Sequence, residues 1–242
     1  MEKEMEEVKN IIIKKIIFDG IYLNNYKKKW KEYVNDKLEF EGEYFFDKKW
    51  TGKGYDKNGN IIYELNNGKG KIKEYQYNDL FYEGEYFNGR RNGKGKEYKY
   101  GNLIYEGEYL NGKKNGKGKY YDKYEEFIYE GEYLDDQKNG IGKEYKNGKL
   151  IFEGEFSDNQ RDGKGKEFLN DKLIFEGEYS NNLRNGKGEE YKYGNLIFEG
   201  EYLNGKRNGK GKEFDYDGNL QFEGEYTDGK KMDLEKNLKM IV

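Results

Sequence analysis

The chain has 242 residues, with 45 Lys and Arg against 48 Asp and Glu, so its net charge of -3 gives no overall positive field to attract nucleic acid. It contains no His, Cys or Pro, which excludes zinc sites of the Cys/His type, thiolate nucleophiles and serine–histidine triads. A mean hydropathy of -1.29 would suit a disordered chain, but aromatic residues make up 17% of the sequence. We therefore expect a folded, non-catalytic protein without a cofactor or metal.

The N-terminal segment, residues 1–17, differs in pattern from the rest of the chain. Acidic residues precede an aliphatic cluster that starts at Ile11 and is interrupted by Lys14 and Lys15. This cluster is too short to span a membrane, and its acidic start is unlike a signal peptide. We predict that the segment caps an open sheet edge as a short helix or strand.

Residues 18–231 repeat with a period of about 23 residues. The phrase [YF]-E-G-E-[YF] is followed, seven residues after its closing aromatic residue, by Gly-x-Gly, as from Tyr202 to Gly209. Residues 63–75 read as a shortened unit, and Trp30 occupies the position of a later glycine. We count about ten units, with degenerate units at both ends. The glycines of the first phrase are Gly42, Gly84, Gly107, Gly131, Gly154, Gly177, Gly200 and Gly224.

Each unit contains two strand patterns joined by turn residues. Phe198, Gly200 and Tyr202 alternate with glutamates, Asn204-Gly205 fills the first turn, and Gly194-Asn195 fills a second turn. A recurring glycine inside a strand indicates that an aromatic ring lies on it. Simple alternation places Phe214 on the lysine face, and a β-bulge would reconcile it with the glycine face. The pattern predicts an all-β, elongated, single-layer antiparallel sheet of about ten hairpins.

Residues 232–242 lack the repeat and are predicted to form a second short cap. A homodimer formed through one end of the sheet is a further hypothesis.

Units such as YEGEYLNGKKNGKGKYY (105–121) and FEGEYLNGKRNGKGKEF (198–214) resemble the MORN repeat family, whose pattern is Tyr-x-Gly-x-aromatic, a turn with Gly, and Gly-x-Gly. The resemblance covers about residues 18–231, although the first and third units depart from it. It implies a twisted single-layer sheet with an aromatic-lined concave side. It also implies functions in scaffolding, oligomerisation, attachment to membranes or the cytoskeleton, and phosphoinositide binding.

The first candidate site is a series of aromatic residues beside the in-strand glycines, which we name the aromatic ladder. Such rings can serve the fold alone, because a one-layer sheet must cover its apolar face. The functional alternative is a groove that receives a partner strand, helix or lipid chain. The aromatic ladder comprises Tyr82, Tyr86, Tyr105, Tyr109, Tyr129, Tyr133, Phe152, Phe156, Phe175, Tyr179, Phe198, Tyr202, Phe222 and Tyr226.

The second candidate site is a series of basic residues at the first turns, which we name the basic edge. Because they recur once per unit, we expect them to line one long edge, where anionic lipid could bind. The alternative is that charged turns keep the sheet soluble and block edge pairing. The basic edge comprises Arg90, Arg91, Lys113, Lys114, Lys138, Arg161, Arg184, Lys206, Arg207, Lys230 and Lys231.

Other motifs favour structure over chemistry. Glutamate pairs such as Glu199 and Glu201 recur in nearly every unit and predict cross-strand pairs with lysines such as Lys212. The stretch GKRNGKG lacks the P-loop pattern, and residues 215–219 lack the final glutamate of a calcium loop.

Together these patterns predict a non-catalytic, elongated scaffold in the cytoplasm that binds as yet unidentified protein partners through a repeated aromatic and charged surface. The alternative is a peripheral position at a membrane, through anionic lipid or phosphoinositide on the basic edge, or at the cytoskeleton. A third hypothesis is an antitoxin or immunity-type module, since bacterial proteins with NGKL…EG…NGKKNG repeats look similar.

Overall fold

The computed structural model describes residues 6–12, 16–23, 26–34, 36–76, 79–122 and 127–232, and the chain divides into two compact units, Met1–Glu125 and Glu126–Val242. In both units every described regular element is a β-strand that pairs antiparallel with its neighbour in the chain. The predicted all-β hairpin array is therefore confirmed.

The first unit contains two sets of strands, each paired in chain order. One set forms a six-stranded sheet, in which β1 pairs with β2 at one edge. These six strands are β1 (Glu6–Ile12), β2 (Ile16–Leu23), β3 (Tyr26–Val34), β4 (Lys37–Phe45), β5 (Lys48–Tyr55) and β6 (Ile61–Leu65). The other set comprises β7 (Gly70–Gln76), β8 (Asp79–Phe87), β9 (Arg90–Lys99), β10 (Asn102–Leu110) and β11 (Lys113–Tyr121).

The second unit is one run of antiparallel hairpins, again in chain order. Its strands are β12 (Phe127–Leu134), β13 (Gln137–Lys146), β14 (Lys149–Ser157), β15 (Gln160–Leu169), β16 (Lys172–Ser180), β17 (Leu183–Lys192), β18 (Asn195–Leu203), β19 (Lys206–Phe214), β20 (Leu220–Thr227) and β21 (Lys230–Lys231). The predicted C-terminal cap, residues 232–242, lies outside the described residues except for Met232. The capping role of both end segments stays a prediction.

The turns explain why Asn, Asp and Gly recur between the strands. Asn204 and Gly205 have φ values of 50° and 84°, and positive φ at both central residues is typical of the tight turns that fit the twist of a hairpin. One second turn differs from the prediction of Gly194-Asn195, because its central residues are Tyr193 and Gly194, at φ 56° and 90°.

The in-strand glycines leave room for aromatic rings, as predicted. Gly200 pairs with Gly211, and a Cβ atom on either glycine would lie 2.6 Å from ring atoms of Phe198. Gly209 has a different reason to be glycine, because its φ of 91° lies in the left-handed region.

The position of Phe214 follows from simple alternation. A bulge is present between β19 and β20, but Glu213 pairs with Phe222 and Phe214 pairs with Leu220, so the extra residue lies in β20. The equivalent residue of an earlier unit, Tyr98, donates a 2.7 Å hydrogen bond to Glu83 on the face of the paired glutamates. The bulge therefore does not bring this aromatic position to the glycine side.

Candidate functional site

The aromatic ladder forms the core of the second unit and of strands β8 to β11 in the first unit, whose earlier strands bury residues such as Phe40 and Tyr63. Its rings pack edge to face: the ring centroids of Phe198 and Tyr202 are 5.7 Å apart at 87°, and those of Phe198 and Tyr226 are 5.3 Å apart. Such contacts contribute about 0.5–1.5 kcal/mol each beyond area burial. Tyr86 and Phe222 are half-buried, and the other ladder residues are buried. Whether a partner reaches these rings stays a prediction.

The basic edge separates into two columns with different surroundings. In the inner basic column, each cation lies over a ladder ring, with 4.0–4.5 Å between the charged atom and the ring centroid. This column comprises Arg91, Lys114, Lys138, Arg161, Arg184, Arg207 and Lys231. The remaining residues form the outer basic column and are exposed: Arg90, Lys113, Lys206 and Lys230.

Glutamates of the returning strands join the inner basic column to the ladder. Arg207 forms ion pairs of 2.6 Å with Glu190 and 2.9 Å with Glu213, and the hydroxyl of Tyr202 donates a 2.6 Å hydrogen bond to Glu190. The same arrangement recurs around Glu167. We name these residues the network glutamates: Glu74, Glu97, Glu144, Glu167, Glu190 and Glu213.

The pKa values show that the network stabilises charged carboxylates. Burial alone would raise the pKa of Glu190, but hydrogen bonds from Arg207 and Tyr202 hold it below its ordinary value. Burial and the hydrogen bond to Glu190 raise the pKa of Tyr202. The same balance lowers the pKa of a set that we name the low-pKa glutamates: Glu144, Glu167, Glu190 and Glu213.

Sequence reasoning missed the network glutamates, although a signal was present. Five of them stand two residues after the second glycine of Gly-x-Gly, and Glu74 stands two residues after Ile72, which occupies the position of that glycine. They recur at nearly the same interval as the inner basic column. The two series share one face, so the arginines and lysines that looked free for lipid are engaged with glutamates and rings. The outer basic column and Lys231 are exposed, and Gln137, Gln160 and Leu183 replace the outer basic residue in three units.

The opposite face of the second unit carries a groove of about 1180 Å³. Its floor is a row of glycines that pair across adjacent strands, which we name the glycine track, and its walls are glutamates and lysines. Among the described residues that line it there is no member of the aromatic ladder. The glycine track comprises Gly154, Gly165, Gly177, Gly188, Gly200, Gly211 and Gly224.

The walls of the groove contain the cross-strand pairs that the sequence predicted. Lys212 lies 3.4 Å from Glu199, Lys166 lies 3.1 Å from Glu176, and Lys143 lies 3.2 Å from Glu153. These side chains are exposed enough that each pair stabilises the sheet by at most about 1 kcal/mol. The charges therefore remain accessible to a partner.

The described residues contain no group of acidic residues placed to hold a metal ion. No helix in this part of the chain has the length and hydropathy that crossing a membrane requires.

Comparison with known families gives a match to the MORN repeat in six segments: residues 82–101, 105–123, 129–149, 152–172, 175–194 and 198–220. Each segment contains one strand with the ladder phrase and the returning strand with Gly-x-Gly. A search of curated proteins finds no match. The matched segments make up about half of the chain and carry the buried rings, the turns and the glycines described above, so the chain belongs to the MORN repeat family.

Proposed function

We propose that this protein is a non-catalytic scaffold that binds protein partners through the groove of its second unit. The observation that carries the proposal is the contrast between the two faces of the sheet. One face is sealed by rings, cations and network glutamates, whereas the other presents an uncovered groove whose charged walls repeat from hairpin to hairpin. A repeated surface lets weak contacts to one partner add.

The distribution of perturbed groups supports a role without catalysis. An active site needs a constellation of groups whose environment differs from the rest of the protein. Here the low-pKa glutamates and the tyrosines that donate to them recur from unit to unit, as the packing of the ladder requires. The absence of cysteine fits a reducing compartment, so we propose a cytoplasmic location.

The experiment uses the absence of cysteine to place a single photo-crosslinker. A Lys187→Cys variant carries the probe in the groove, and a Lys230→Cys variant carries it at an exposed turn as the matched control. In lysate of the cells of origin, the groove variant should yield discrete crosslinked proteins that the control does not. Equal products from both variants, or none from the groove variant, would contradict the proposal.

A second proposal is peripheral membrane attachment, and the exposure of the outer basic column favours it. A basic residue near an anionic surface contributes about 1 kcal/mol. Sedimentation with phosphoinositide vesicles at about 150 mM salt tests it, because screening over about 8 Å removes weak exposed contacts. Charge reversal at Lys113 and Lys206 should abolish sedimentation, while unchanged sedimentation would end this proposal.

A further inference from the structure

The groove of the second unit contains a single interruption in the charge pattern of one wall. Directly paired residues on successive strands β13 to β20 form a line of charges, which we name the charge row. Lysine and glutamate alternate along it except at Glu189, where a lysine would continue the pattern. The charge row is Lys143, Glu153, Lys166, Glu176, Glu189, Glu199, Lys212 and Glu223.

The interruption places three carboxylates side by side. Glu189 pairs directly with Glu176 on one neighbouring strand and with Glu199 on the other. Like charges directly opposite each other destabilise a sheet. The equivalent row of the first unit, from Lys73 to Lys119, alternates without such a break. The hairpin fold is therefore compatible with lysine at this position, although the carboxylate of Glu189 also accepts a hydrogen bond from the hydroxyl of Tyr191.

The shape of the groove limits what can occupy it. The floor is strand backbone, because a Cβ at the glycine positions would point to the opposite, ladder face. The two walls come from residues on either side of each glycine, about 6.6–7 Å apart along a strand. An α-helix has a diameter of about 10–12 Å and is too wide to lie between the walls. An extended chain is narrower. Seven strands at about 4.8 Å give the glycine track a length of roughly 29 Å, which about nine extended residues would follow.

The charges of the groove select the chemistry of the occupant. Nine glutamates and six lysines line it, so its lining carries about three more negative than positive charges, and Lys166 and Lys212 pair with Glu176 and Glu199 at the two ends of the carboxylate triple. Glu176, Glu189 and Glu199 span about 10 Å across three strands. Side chains on one face of an extended peptide recur every 6.6–7 Å or so, so that two successive basic side chains fall within this span.

From this geometry we infer that the groove binds an extended segment of a partner protein in which Lys or Arg alternates with small residues, its cations lying over Glu176, Glu189 and Glu199. The inference rests on the proposed scaffold function and adds the chemical class of the partner. The row of acidic residues provides the specificity, and the strand backbone between the two walls leaves the space for the peptide.

The test measures binding of a fluorescent nine-residue peptide of alternating Lys and Thr to the full chain, at about 150 mM salt, by fluorescence anisotropy. The wild-type protein should bind this peptide and not the peptide with Glu in place of Lys. A helical peptide with the same number of lysines should bind more weakly. Equal or tighter binding of either comparison peptide would overturn the inference.

Variants of the charge row distinguish a specific effect on peptide affinity from an effect of net charge and from a loss of stability. Glu189→Lys should weaken binding at least tenfold while leaving the urea midpoint close to that of wild type, because the removal of two like-charge contacts offsets the loss of the hydrogen bond from Tyr191. Glu64→Lys makes the same change of charge at an exposed position of the first unit and should leave affinity unchanged. Combining Glu189→Lys with Lys166→Glu moves the carboxylate triple by one hairpin and should restore affinity to within about threefold of wild type.

Three results would overturn the inference: no binding by the wild-type protein, equal affinity of Glu189→Lys and wild type, or equal losses in Glu189→Lys and Glu64→Lys. If the crosslinker at Lys187→Cys captures a partner but the lysine peptide does not bind, the scaffold function stands and the basic-peptide inference fails. If the peptide binds but no partner is captured in lysate, the groove recognises this chemistry and the scaffold function is contradicted.

Discussion

The packing of Phe198 on two glycines predicts a large cost for the smallest possible side chain at Gly211. In Gly211→Ala the new Cβ would lie 2.6 Å from two ring atoms of Phe198, about 0.8 Å inside ordinary contact at 3.4 Å. The ring has no free direction to move, because it is fully buried, packs edge to face on Tyr202 and Tyr226, and is covered by Arg207 at 4.0 Å.

The expected magnitude is a balance of two effects. Overpacking of this kind costs about 3 kcal/mol, at the upper end of its usual range, because the strand must shift with the ring. Alanine also restricts the unfolded chain, which offsets about 0.4–1 kcal/mol of that loss. We therefore expect Gly211→Ala to lower the free energy of unfolding by about 2 kcal/mol.

A double-mutant cycle tests whether the ring is the cause. Phe198→Leu removes the far ring atoms that the new Cβ would meet, so Gly211→Ala should cost at least about 1 kcal/mol less in that background. Urea unfolding followed by circular dichroism gives the four free energies, provided that the slopes agree. An equal cost of Gly211→Ala in both backgrounds would refute the assignment of this glycine to ring packing.

The network and the turns give three further predictions. Arg207→Ala should lower the free energy of unfolding by about 2–3 kcal/mol, because it leaves Glu190 short of its charge-assisted bonds, whereas Lys206→Ala at the exposed column should cost under about 0.5 kcal/mol in the same urea assay. The pKa values of the low-pKa glutamates are lower in the folded state than in the unfolded chain, where they are about 4.3. The stability that these groups contribute is therefore present above that pH and is lost as the pH falls through their folded pKa values. Urea midpoints should be constant from pH 7 to about pH 5 and should fall at lower pH. Tyr193→Asn should raise the free energy of unfolding by about 0.5–1 kcal/mol and so raise the thermal midpoint, because Asn tolerates the φ of 56° better than the exposed tyrosine does. An unchanged or lower thermal midpoint would contradict this.

The hairpin array could be predicted because its determinants are local. Alternation, turn residues and a period of about 23 residues specify antiparallel neighbours without any knowledge of distant contacts. The role of Gly200 and Gly211 could also be predicted from the sequence, because a glycine weakens the interior of a strand unless a ring or another backbone packs closely on it. The exceptions were the turns at Tyr100 and Tyr193, where a residue that disfavours positive φ precedes the glycine and the turn is shifted by one position.

The candidate site could be predicted only in part, because it depends on which columns share a face. Arg207 and Glu190 are 17 residues apart and on strands that are not adjacent in the sheet, so no local pattern joins them. The sequence therefore predicted a basic edge, while the structure has one column of cations closed over rings and one exposed. The groove was missed for the same reason, since its walls are the residues that sequence reasoning had assigned to cross-strand pairing.

The two faces of the sheet have separate roles, and adjacent residues can test that separation. Glu189 and Glu190 are neighbours in sequence, but Glu189 lines the groove whereas Glu190 binds Arg207 on the ladder face. If the faces are independent, the changes in the free energy of unfolding caused by Glu189→Gln and Glu190→Gln should add within about 0.5 kcal/mol. The changes caused by Glu190→Gln and Arg207→Met should instead deviate from additivity by more than about 1 kcal/mol. A coupling between the adjacent glutamates as large as that of the ion pair would show that a change in the groove also perturbs the core. Additivity would mean that the ladder face stabilises the fold, while residues of the groove face can vary from hairpin to hairpin without a loss of stability. Recognition through a single residue that breaks the charge pattern, such as Glu189, requires this independence.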